Sequence, residues 1–576
     1  MFPFAHIQHW GVTMPRETSA ERWQQADRER QEHVQRIVGS KSRNRIVVAG
    51  PGTGKTYLFK TILREKTNTL TLSFVNALVN DLCEELFCLS DVKTLHGFAR
   101  SVLRKAINGS VDIYPKLPAI IQSDSLILRN VDIKFGPLFE CRVDDPENLA
   151  FYESRRNIYG RYGFTDIISA VVLFFEEDKN RIPSFSQIVV DEFQDFNPLE
   201  VSLIDLLAEK SPVLLAGDDD QALYETLKNA SPAHIRARHG GATGDYEPFT
   251  LPYCSRCSEV IIKATNDIVA KAQERGLLQN RIPKEFSYYP CEKKDAISAN
   301  YPAIVFAKLH YNQVAWYIDK AITDIKKGQQ EKFDVLVICA TGIQCKGVAE
   351  RLIDKGFENV QYKARSEDSD PTLFDGLKLL LEERNCNLGW RIVSQSLLAA
   401  PEFDALLKNW DSDRQRLFDI IGTNLKSEVH RLLAILRDIR DQKDVSREDL
   451  EHLFGMTGFD ALGSMQSTIH AELPPKKKSS DSCNPAVRRT PIQVTTYQSS
   501  KGLAADFVFI AHCDDRYSIR DKGGAIEDQD VCNMLVALTR ARNCVHLIAT
   551  NQDRLPTIVS WVNQHRMATN SGGRQR

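Results

Sequence analysis

The sequence lacks the long apolar run that a membrane-spanning helix requires. No uninterrupted apolar stretch of about 18 residues occurs anywhere in the 576-residue chain. The first residues, Met1-Phe2-Pro3-Phe4, also lack the charged segment followed by an apolar segment that marks a secretory signal. Together these absences predict a cytoplasmic protein that has no membrane partner.

An excess of one charge sign is missing as well. The 74 Lys and Arg residues nearly balance the 76 Asp and Glu residues, which leaves a net charge of −2. A neutral whole is compatible with a local basic groove, so the charge neither favours nor excludes nucleic acid as a partner. Hydrophobic residues make up 42% of the chain and charged residues 26%, which is the composition of a globular protein with several domains.

The cysteines do not form the pattern of a disulfide framework. Thirteen of them are scattered through the chain, which favours reduced thiols. Cys254 and Cys257 have the spacing of metal ligands, with Cys291 as the nearest third thiol. Because no second pair has this spacing, a zinc or iron–sulfur site is the less favoured alternative.

Short apolar runs, bounded by turn residues, alternate with longer amphipathic stretches in two regions of the chain. This alternation predicts parallel β-sheets covered by helices, which is an α/β fold. The runs of the first region are Ile46–Val48, Leu70–Ser73, Ile188–Val190 and Val213–Ala216, and those of the second are Ala303–Phe306, Val335–Cys339, Phe507–Ala511 and Val545–Ala549.

Two mainly helical insertions interrupt these regions and set the predicted domain limits. The first domain is predicted at 1–256, with an insertion at about 100–165. The second is predicted at 257–385 and 491–560, separated by a helical insertion and basic linker at 386–490 and followed by a polar tail at 561–576. The lysine run at 476–478 is interpreted as a solvated linker rather than as a nucleic-acid contact.

A phosphate-binding loop follows the first apolar run. Glycines in such a loop let successive backbone N–H groups turn toward a polyphosphate, Lys55 reaches the β- and γ-phosphates, and the hydroxyl of Thr56 binds Mg²⁺. The next stretch is predicted to be a helix whose positive N-terminal end faces the anion. The sequence therefore predicts that the chain binds ATP with Mg²⁺. The predicted loop is Ala49, Gly50, Pro51, Gly52, Thr53, Gly54, Lys55 and Thr56.

An acidic pair, Asp191 and Glu192, directly follows the apolar run Ile188–Val190. A nucleotide-binding sheet needs such a pair at the carboxyl end of a strand, because Asp191 would hold Mg²⁺ and Glu192 would orient or deprotonate the attacking water. A surface turn after a buried strand is the alternative interpretation, and it is disfavoured by the phosphate loop upstream.

The segment Asp191-Glu192-Phe193-Gln194-Asp195 resembles motif II of the UvrD/Rep group of superfamily 1 DNA helicases. Segments similar to the other motifs of that group follow in the same order. They are Asp166 in the acidic segment before motif II, Leu215 to Tyr224 as motif III, Ser255-Arg256-Cys257 in the motif IV region, Ser499 to Leu503 as motif V, and Val536 to Ala541 as motif VI.

The resemblance implies two RecA-like domains of the P-loop NTPase type, with ATP bound between them. Gln221 would then sense the γ-phosphate, and Gly502 would lie in a loop that contacts the nucleotide. Arg256 and Arg540 would act as arginine fingers, although each arginine is also compatible with a surface salt bridge. The implied catalytic residues are Glu192, Lys55, Gln221, Arg256 and Arg540.

The resemblance also implies a set of residues that bind single-stranded DNA. Phe74 would stack on a base, although a core position at the end of a strand is the alternative. Asn76 would either contact DNA or cap the following helix. Thr94 and His96 would bond phosphate, and Tyr224 belongs to the same predicted surface.

Several positions depart from the pattern of that group. Ser255 replaces a tyrosine, and Ala504 replaces the glutamate that touches the ribose. The usual aromatic-Arg pair after motif III is replaced by Tyr224-Glu225-Thr226-Leu227-Lys228. Gln31 and Gln35 are alternative adenine readers, or else exposed helix positions.

The function that the resemblance implies is an ATP-dependent DNA helicase or translocase. It would move 3′ to 5′ on single-stranded or tailed DNA, in DNA repair, recombination or phage defence, with a nuclease or defence protein as a partner. The alternative is a nucleotide-gated DNA-binding subunit that unwinds little by itself.

Overall fold

Two parallel β-sheets organise the chain. The computed structural model describes residues 19–73, 82–223, 229–300, 302–328, 332–362, 370–412, 414–441, 443–458, 491–520, 523–550 and 555–571. The two α/β halves built on these sheets confirm the predicted fold class of two RecA-like domains. The strands are β1 (Asn44–Ala49), β2 (Thr69–Ser73), β3 (Asp91–Thr94), β4 (Gln187–Val190), β5 (Val213–Gly217), β6 (Tyr246–Leu251), β7 (Tyr253–Cys254), β8 (Ser287–Tyr288), β9 (Ile304–Lys308), β10 (Val335–Cys339), β11 (Val360–Tyr362), β12 (Ile492–Thr496), β13 (Ala505–Ala511), β14 (Ala541–Ala549) and β15 (Ala568–Ser571).

The first sheet has six strands in the order β3-β2-β4-β5-β1-β6. All of its neighbouring strands pair in parallel. The four apolar runs predicted for this region form β1, β2, β4 and β5, which confirms them. The sequence did not predict β3 and β6, the two edge strands, because their residues are of mixed polarity and several remain exposed.

The second sheet has seven strands in the order β11-β12-β10-β13-β14-β9-β15, and all of its pairs are parallel. The predicted runs form β9, β10, β13 and β14. Strand β15, whose residues 568–571 pair with β9, lies in the stretch predicted as a polar tail. The sequence did not predict this edge strand, because its short polar residues give no apolar signal.

Helices cover both faces of each sheet, and each face has its own apolar cluster. Among the described residues, no helix is long and apolar enough to cross a lipid bilayer. The α-helices are Ser19–Gly39, Lys55–Leu63, Leu95–Ile107, Leu117–Arg129, Phe135–Glu140, Pro146–Tyr159, Phe164–Glu177, Pro198–Lys210, Ala233–His239, Glu259–Glu274, Glu292–Asn300, Val314–Gly328, Gly342–Asp354, Leu373–Glu382, Asn387–Leu397, Ala400–Asn409, Leu417–Ile420, Thr423–Arg440, Arg447–Thr457, Asp515–Ser518 and Asp528–Leu538.

The two helical insertions share one apolar core with a face of the first sheet. A buried ion cluster joins them, because Asp124 of the first insertion accepts hydrogen bonds from Arg155 Nε (2.9 Å) and from Arg391 Nη2 (2.8 Å) of the second. Helical packing of the second insertion begins at Leu373, before the predicted limit at 386. The predicted domain limits themselves stay predictions.

Asp124→Asn is expected to lower the free energy of unfolding by about 3–5 kcal/mol, because it leaves Arg155 and Arg391 buried without a counter-charge. Urea unfolding followed by circular dichroism measures the change. The control is Arg447→Ala, which removes an exposed ion pair with Glu451 and is expected to cost less than about 1 kcal/mol. Equal effects of the two variants would show that the ion cluster does not stabilise the joined insertions.

Candidate nucleotide site

The phosphate loop joins β1 to the helix Lys55–Leu63. Gly52 and Gly54 have φ angles of +69° and +95°, a left-handed conformation that glycine adopts without strain. The hydroxyl of Thr53 closes the turn by donating to the carbonyl oxygen of Gly50 (2.8 Å). Because no side chain caps the helix at Gly54, its first N–H groups remain available for an anion.

The acidic pair lies directly opposite the lysine of this loop. Lys55 Nζ is 2.7 Å from Glu192 Oε1 and 3.3 Å from Asp191 Oδ1. Glu192 itself has a φ of +56°, which is rare for a residue other than glycine and is found at functional sites. Gln194 Nε2 donates to its second carboxylate oxygen (2.7 Å) and helps to fix it.

Burial and neighbouring charges act in opposite directions on this pair. For Glu192, burial raises the pKa, but the charges of Lys55 and Lys501 outweigh it, and the pKa falls below its ordinary value. For Asp191, burial is the larger effect, so its pKa rises despite the attraction of Lys55. The environment thus shifts the pKa values of the two carboxyl groups in opposite directions.

Thr56 and Asp191 are the residues that would hold Mg²⁺. They offer hydroxyl and carboxylate oxygens, which are the ligands that this ion prefers. The donor set therefore fits the ion.

Two basic side chains from the second half reach the first half at this site. Lys501 Nζ forms ion pairs with Asp195 and with Glu192 Oε2 (3.3 Å). Arg540 Nη2 donates to Gln221 Oε1 (3.0 Å), and Gln221 Nε2 donates to an oxygen of Asp218 (2.7 Å). Burial and the nearby charge of Arg256 lower the pKa of Arg540.

Arg256 packs against the phosphate loop. Its Cβ lies so close to Gly52 that no side chain would fit at the glycine. The neighbouring Ser255 donates from its backbone N–H (2.9 Å) and from its hydroxyl (3.1 Å) to the carbonyl oxygen of Gly52. The structure thus brings together Lys55, Glu192, Gln221, Arg256 and Arg540 around one cleft.

Three aspartates, Asp218 to Asp220, form an acidic cluster next to the cleft. The sequence did not indicate which basic residues pair with them. Lys284 Nζ contacts oxygens of Asp218, Asp219 and Asp220 at 2.7, 2.6 and 2.9 Å. Arg281 adds a second ion pair with Asp220 at 2.8 Å. Three adjacent aspartates predict a counter-charge, but sequence spacing alone does not show which distant lysine supplies it.

The predicted DNA-binding residues are described only in part. Phe74, Asn76 and Tyr224 lie outside the described residues. The side chain of Thr94 caps the helix Leu95–Ile107 by accepting from the N–H of Gly97 (3.0 Å). The half-buried ring of His96 packs edge-on against Phe164 at 4.8 Å between ring centres.

Comparisons with known proteins give one family match and similar helicases. Residues 31–227 match the family model described as AAA domain. The ATP-dependent DNA helicase Rep of Buchnera aphidicola subsp. Acyrthosiphon pisum (strain APS) is 25% identical over 376 residues, which is 56% of this chain and 56% of that protein. The chain is similar to UvrD/Rep helicases.

A second relative extends this similarity. It is named "Probable DNA helicase II homolog" of Mycoplasma genitalium (strain ATCC 33530 / DSM 19775 / NCTC 10195 / G37), and it is 24% identical over 238 residues, or 37% of this chain and 33% of the relative. The chain thus spans about a third to just over half of the length of these two relatives.

The structure also describes three other features noted in the sequence: Gly502, the glutamines Gln31 and Gln35, and the cysteine pair. Gly502, which follows Lys501, has a φ of +83°. Gln31 is exposed and donates to Asp27 (2.7 Å), and Gln35 is exposed. The thiols of Cys254 and Cys257 are buried beside Arg256.

Proposed function

We propose that the protein is an ATP-dependent DNA helicase or translocase, with Mg²⁺ as its ion and single-stranded or tailed DNA as its substrate. The observation that carries the proposal is the direct link between the two halves at the phosphate loop. Lys501 and Arg540 of the second half bond Glu192 and Gln221 of the first. Hydrolysis at such a site depends on closure of the cleft, which couples the chemistry to movement.

Each residue of the cleft has a proposed role. Lys55 binds the β- and γ-phosphates, and Glu192 orients the attacking water and accepts its proton. Arg256 and Arg540 neutralise charge on the transferring group from the opposite side, while Gln221 connects Arg540 to the first half. Mg²⁺ held at the loop would neutralise further charge on the phosphates.

Burial raises the pKa of Glu192, but the charges of Lys55 and Lys501 outweigh burial and lower it. Phosphate bound by Lys55 would draw that charge away from Glu192, so the pKa of the carboxylate should rise and favour proton transfer from water.

The finer parts of the proposal rest on the resemblance of motifs II and III. Their pattern supports movement from 3′ to 5′ on the DNA strand. A cytoplasmic role in repair, recombination or phage defence, with a nuclease or defence protein as partner, is proposed on the same resemblance.

Strand displacement on two tailed duplexes tests the activity. With ATP and Mg²⁺, the duplex with a 3′ single-stranded tail should be opened, and its 5′-tailed counterpart of equal sequence should not. Opening of the 5′-tailed duplex alone would contradict the proposed direction. The matched negative control is Lys55→Ala with the same substrates.

The second candidate function is a nucleotide-gated DNA-binding subunit. The replacement of the aromatic-Arg pair by Tyr224 to Lys228 favours it, because a stacking platform for the strand is absent from the sequence there. This function predicts ATP-dependent DNA binding without displacement of either tailed duplex.

DNA binding should weaken steeply as salt rises. Since the net charge is −2, contact must come from a local groove. For about five phosphates neutralised, a plot of log K against log salt should have a slope of roughly −3.5, at about −0.7 per contact. Fluorescence anisotropy of a labelled oligonucleotide measures it, and a slope near zero would contradict an electrostatic DNA groove.

A further inference from the structure

We propose that Lys284 is a positioning residue for ATP hydrolysis, which fixes the carboxylate of Asp218 and through it the side chain of Gln221. Across the cleft, Arg540 donates to the amide oxygen of Gln221 (3.0 Å). Lys284 acts through these side chains rather than on the phosphates. Its role rests on the proposed function, in which Gln221 belongs to the site of hydrolysis, and it extends that site to a residue for which the sequence indicated no role.

The two oxygens of one carboxylate connect Lys284 to the cleft. Lys284 Nζ is 2.7 Å from Asp218 Oδ1. Asp218 Oδ2 accepts a hydrogen bond from Gln221 Nε2 (2.7 Å). Because this bond uses the amide nitrogen of Gln221, the amide oxygen is the atom that accepts from Arg540. The position of the Asp218 carboxylate therefore sets the direction of the Gln221 amide.

Three adjacent carboxylates explain why a buried ammonium group is needed here. Asp218, Asp219 and Asp220 are buried, and Lys284 Nζ lies within 2.9 Å of an oxygen of each. Burial lowers the pKa of Lys284, but the charges of the three carboxylates outweigh it and raise the pKa above its ordinary value, so the lysine stays protonated. Buried like charges repel one another strongly. Without the ammonium group, the Asp218 carboxylate should turn away from its neighbours and release Gln221.

The backbone around Asp218 has anchors that do not involve Lys284. The N–H of Asp218 donates to Gln194 Oε1 (2.9 Å), and the N–H of Gln221 donates to the carbonyl oxygen of Asp218 (2.9 Å). The carbonyl oxygen of Gln221 accepts from Lys501 Nζ (2.7 Å). Loss of the lysine should therefore change the side chains of Asp218 and Gln221 while the backbone stays in place.

Lys284 also borders the phosphate loop. It lines one cavity together with Gly50 of that loop and with Gln221. Two residues further along the chain, the ring of Phe286 would be 3.1 Å from a Cβ added at Gly50. The lysine therefore lies beside the proposed site of hydrolysis, where a small displacement of Gln221 affects the reacting groups.

Lys284→Met should lower kcat for ATP hydrolysis by about 10²-fold, which is the loss expected when a mutation displaces a catalytic group by about 1 Å. KM for ATP should stay within a few-fold of the wild type, because Lys55 and the phosphate loop are unchanged. Steady-state phosphate release by the full chain, with Mg²⁺ and a single-stranded oligonucleotide present, measures both quantities. Melting followed by circular dichroism identifies folded variants. Lys284→Gln, a polar replacement of similar length, takes the place of Lys284→Met if that variant is unfolded at the assay temperature.

Arg236→Met is the matched control. It removes one positive charge from the same acidic cluster, but Arg236 Nε pairs with Asp219 (3.0 Å) rather than with Asp218. Its kcat should therefore stay within a few-fold of the wild type. An equal loss of kcat in Arg236→Met and Lys284→Met would show that the charge balance of the cluster matters and not the position of Gln221, which would overturn the inference.

A double variant separates positioning from general destabilisation. If Lys284 acts through Gln221, Lys284→Met should lower kcat little further in a Gln221→Ala background, whereas independent effects would multiply. A full additional loss in that background would overturn the inference, as would normal turnover of Lys284→Met in an otherwise active enzyme. Wild-type protein that hydrolyses no ATP would instead overturn the proposed function itself.

Discussion

Glu192→Gln should reduce ATP turnover by about 10²- to 10⁴-fold while ATP still binds within a few-fold of its normal affinity. The substitution keeps the shape of the side chain but removes the carboxylate that accepts the proton. It also removes the ion pairs with Lys55 and Lys501, which leaves Lys55 available to bind phosphate. Turnover should therefore fall while the nucleotide stays bound. Steady-state phosphate release and equilibrium ATP binding measure the two quantities.

Lys55→Ala should have a different effect on ATP binding from that of Glu192→Gln. It removes the group that binds the β- and γ-phosphates, so ATP affinity and turnover should fall together. The control for both variants is Glu209→Gln, an exposed position paired with Lys179, which should behave like the wild type. Near-normal turnover of Glu192→Gln would contradict its assignment as the base.

Arg540→Ala should lower turnover by about 10³- to 10⁵-fold, the range found for arginine fingers, with ATP affinity within a few-fold of the wild type. The reason is geometric, because Arg540 of the second half donates to the side-chain oxygen of Gln221 in the first. Arg256→Ala should lower turnover by at least about 10²-fold, since Arg256 packs on the loop itself.

A neighbouring arginine supplies the control for these two variants. Arg542 pairs with Asp334 and Asp506 on the partly exposed side of the second half, and Arg542→Ala should retain turnover. Normal hydrolysis in Arg540→Ala would show that the second half does not complete the site, and normal hydrolysis in Arg256→Ala would show that Arg256 does not act on the transferring phosphate.

The sequence predicted those parts of the site that are contiguous in the chain. The phosphate loop and the pair Asp191-Glu192 each carry their chemistry in neighbouring residues, so spacing was enough to find them. Arg256 and Arg540 were found through resemblance, because an isolated arginine has no local signal. Lys501 lay inside a recognised motif, but its ion pair with Asp195 is visible only in the structure.

Other parts of the molecule depend on contacts between distant segments. The position of Lys284 among three aspartates follows from the packing of separate elements. Four of the five unpredicted strands in the two large sheets, β3, β6, β11 and β15, are edge strands. Edge strands are covered less completely, so their sequences are mixed and lack the apolar runs of central parallel strands.

The most direct test of the account is the rate of ATP hydrolysis measured with and without single-stranded DNA. For the proposed DNA translocase, whose cleft Lys501 and Arg540 complete from the second half, hydrolysis should be slow without DNA and should rise to a saturating rate as oligonucleotide is added. Arg540→Ala should abolish the stimulated rate. A wild-type rate that is unchanged at saturating oligonucleotide would contradict the proposed coupling between the nucleotide cleft and DNA.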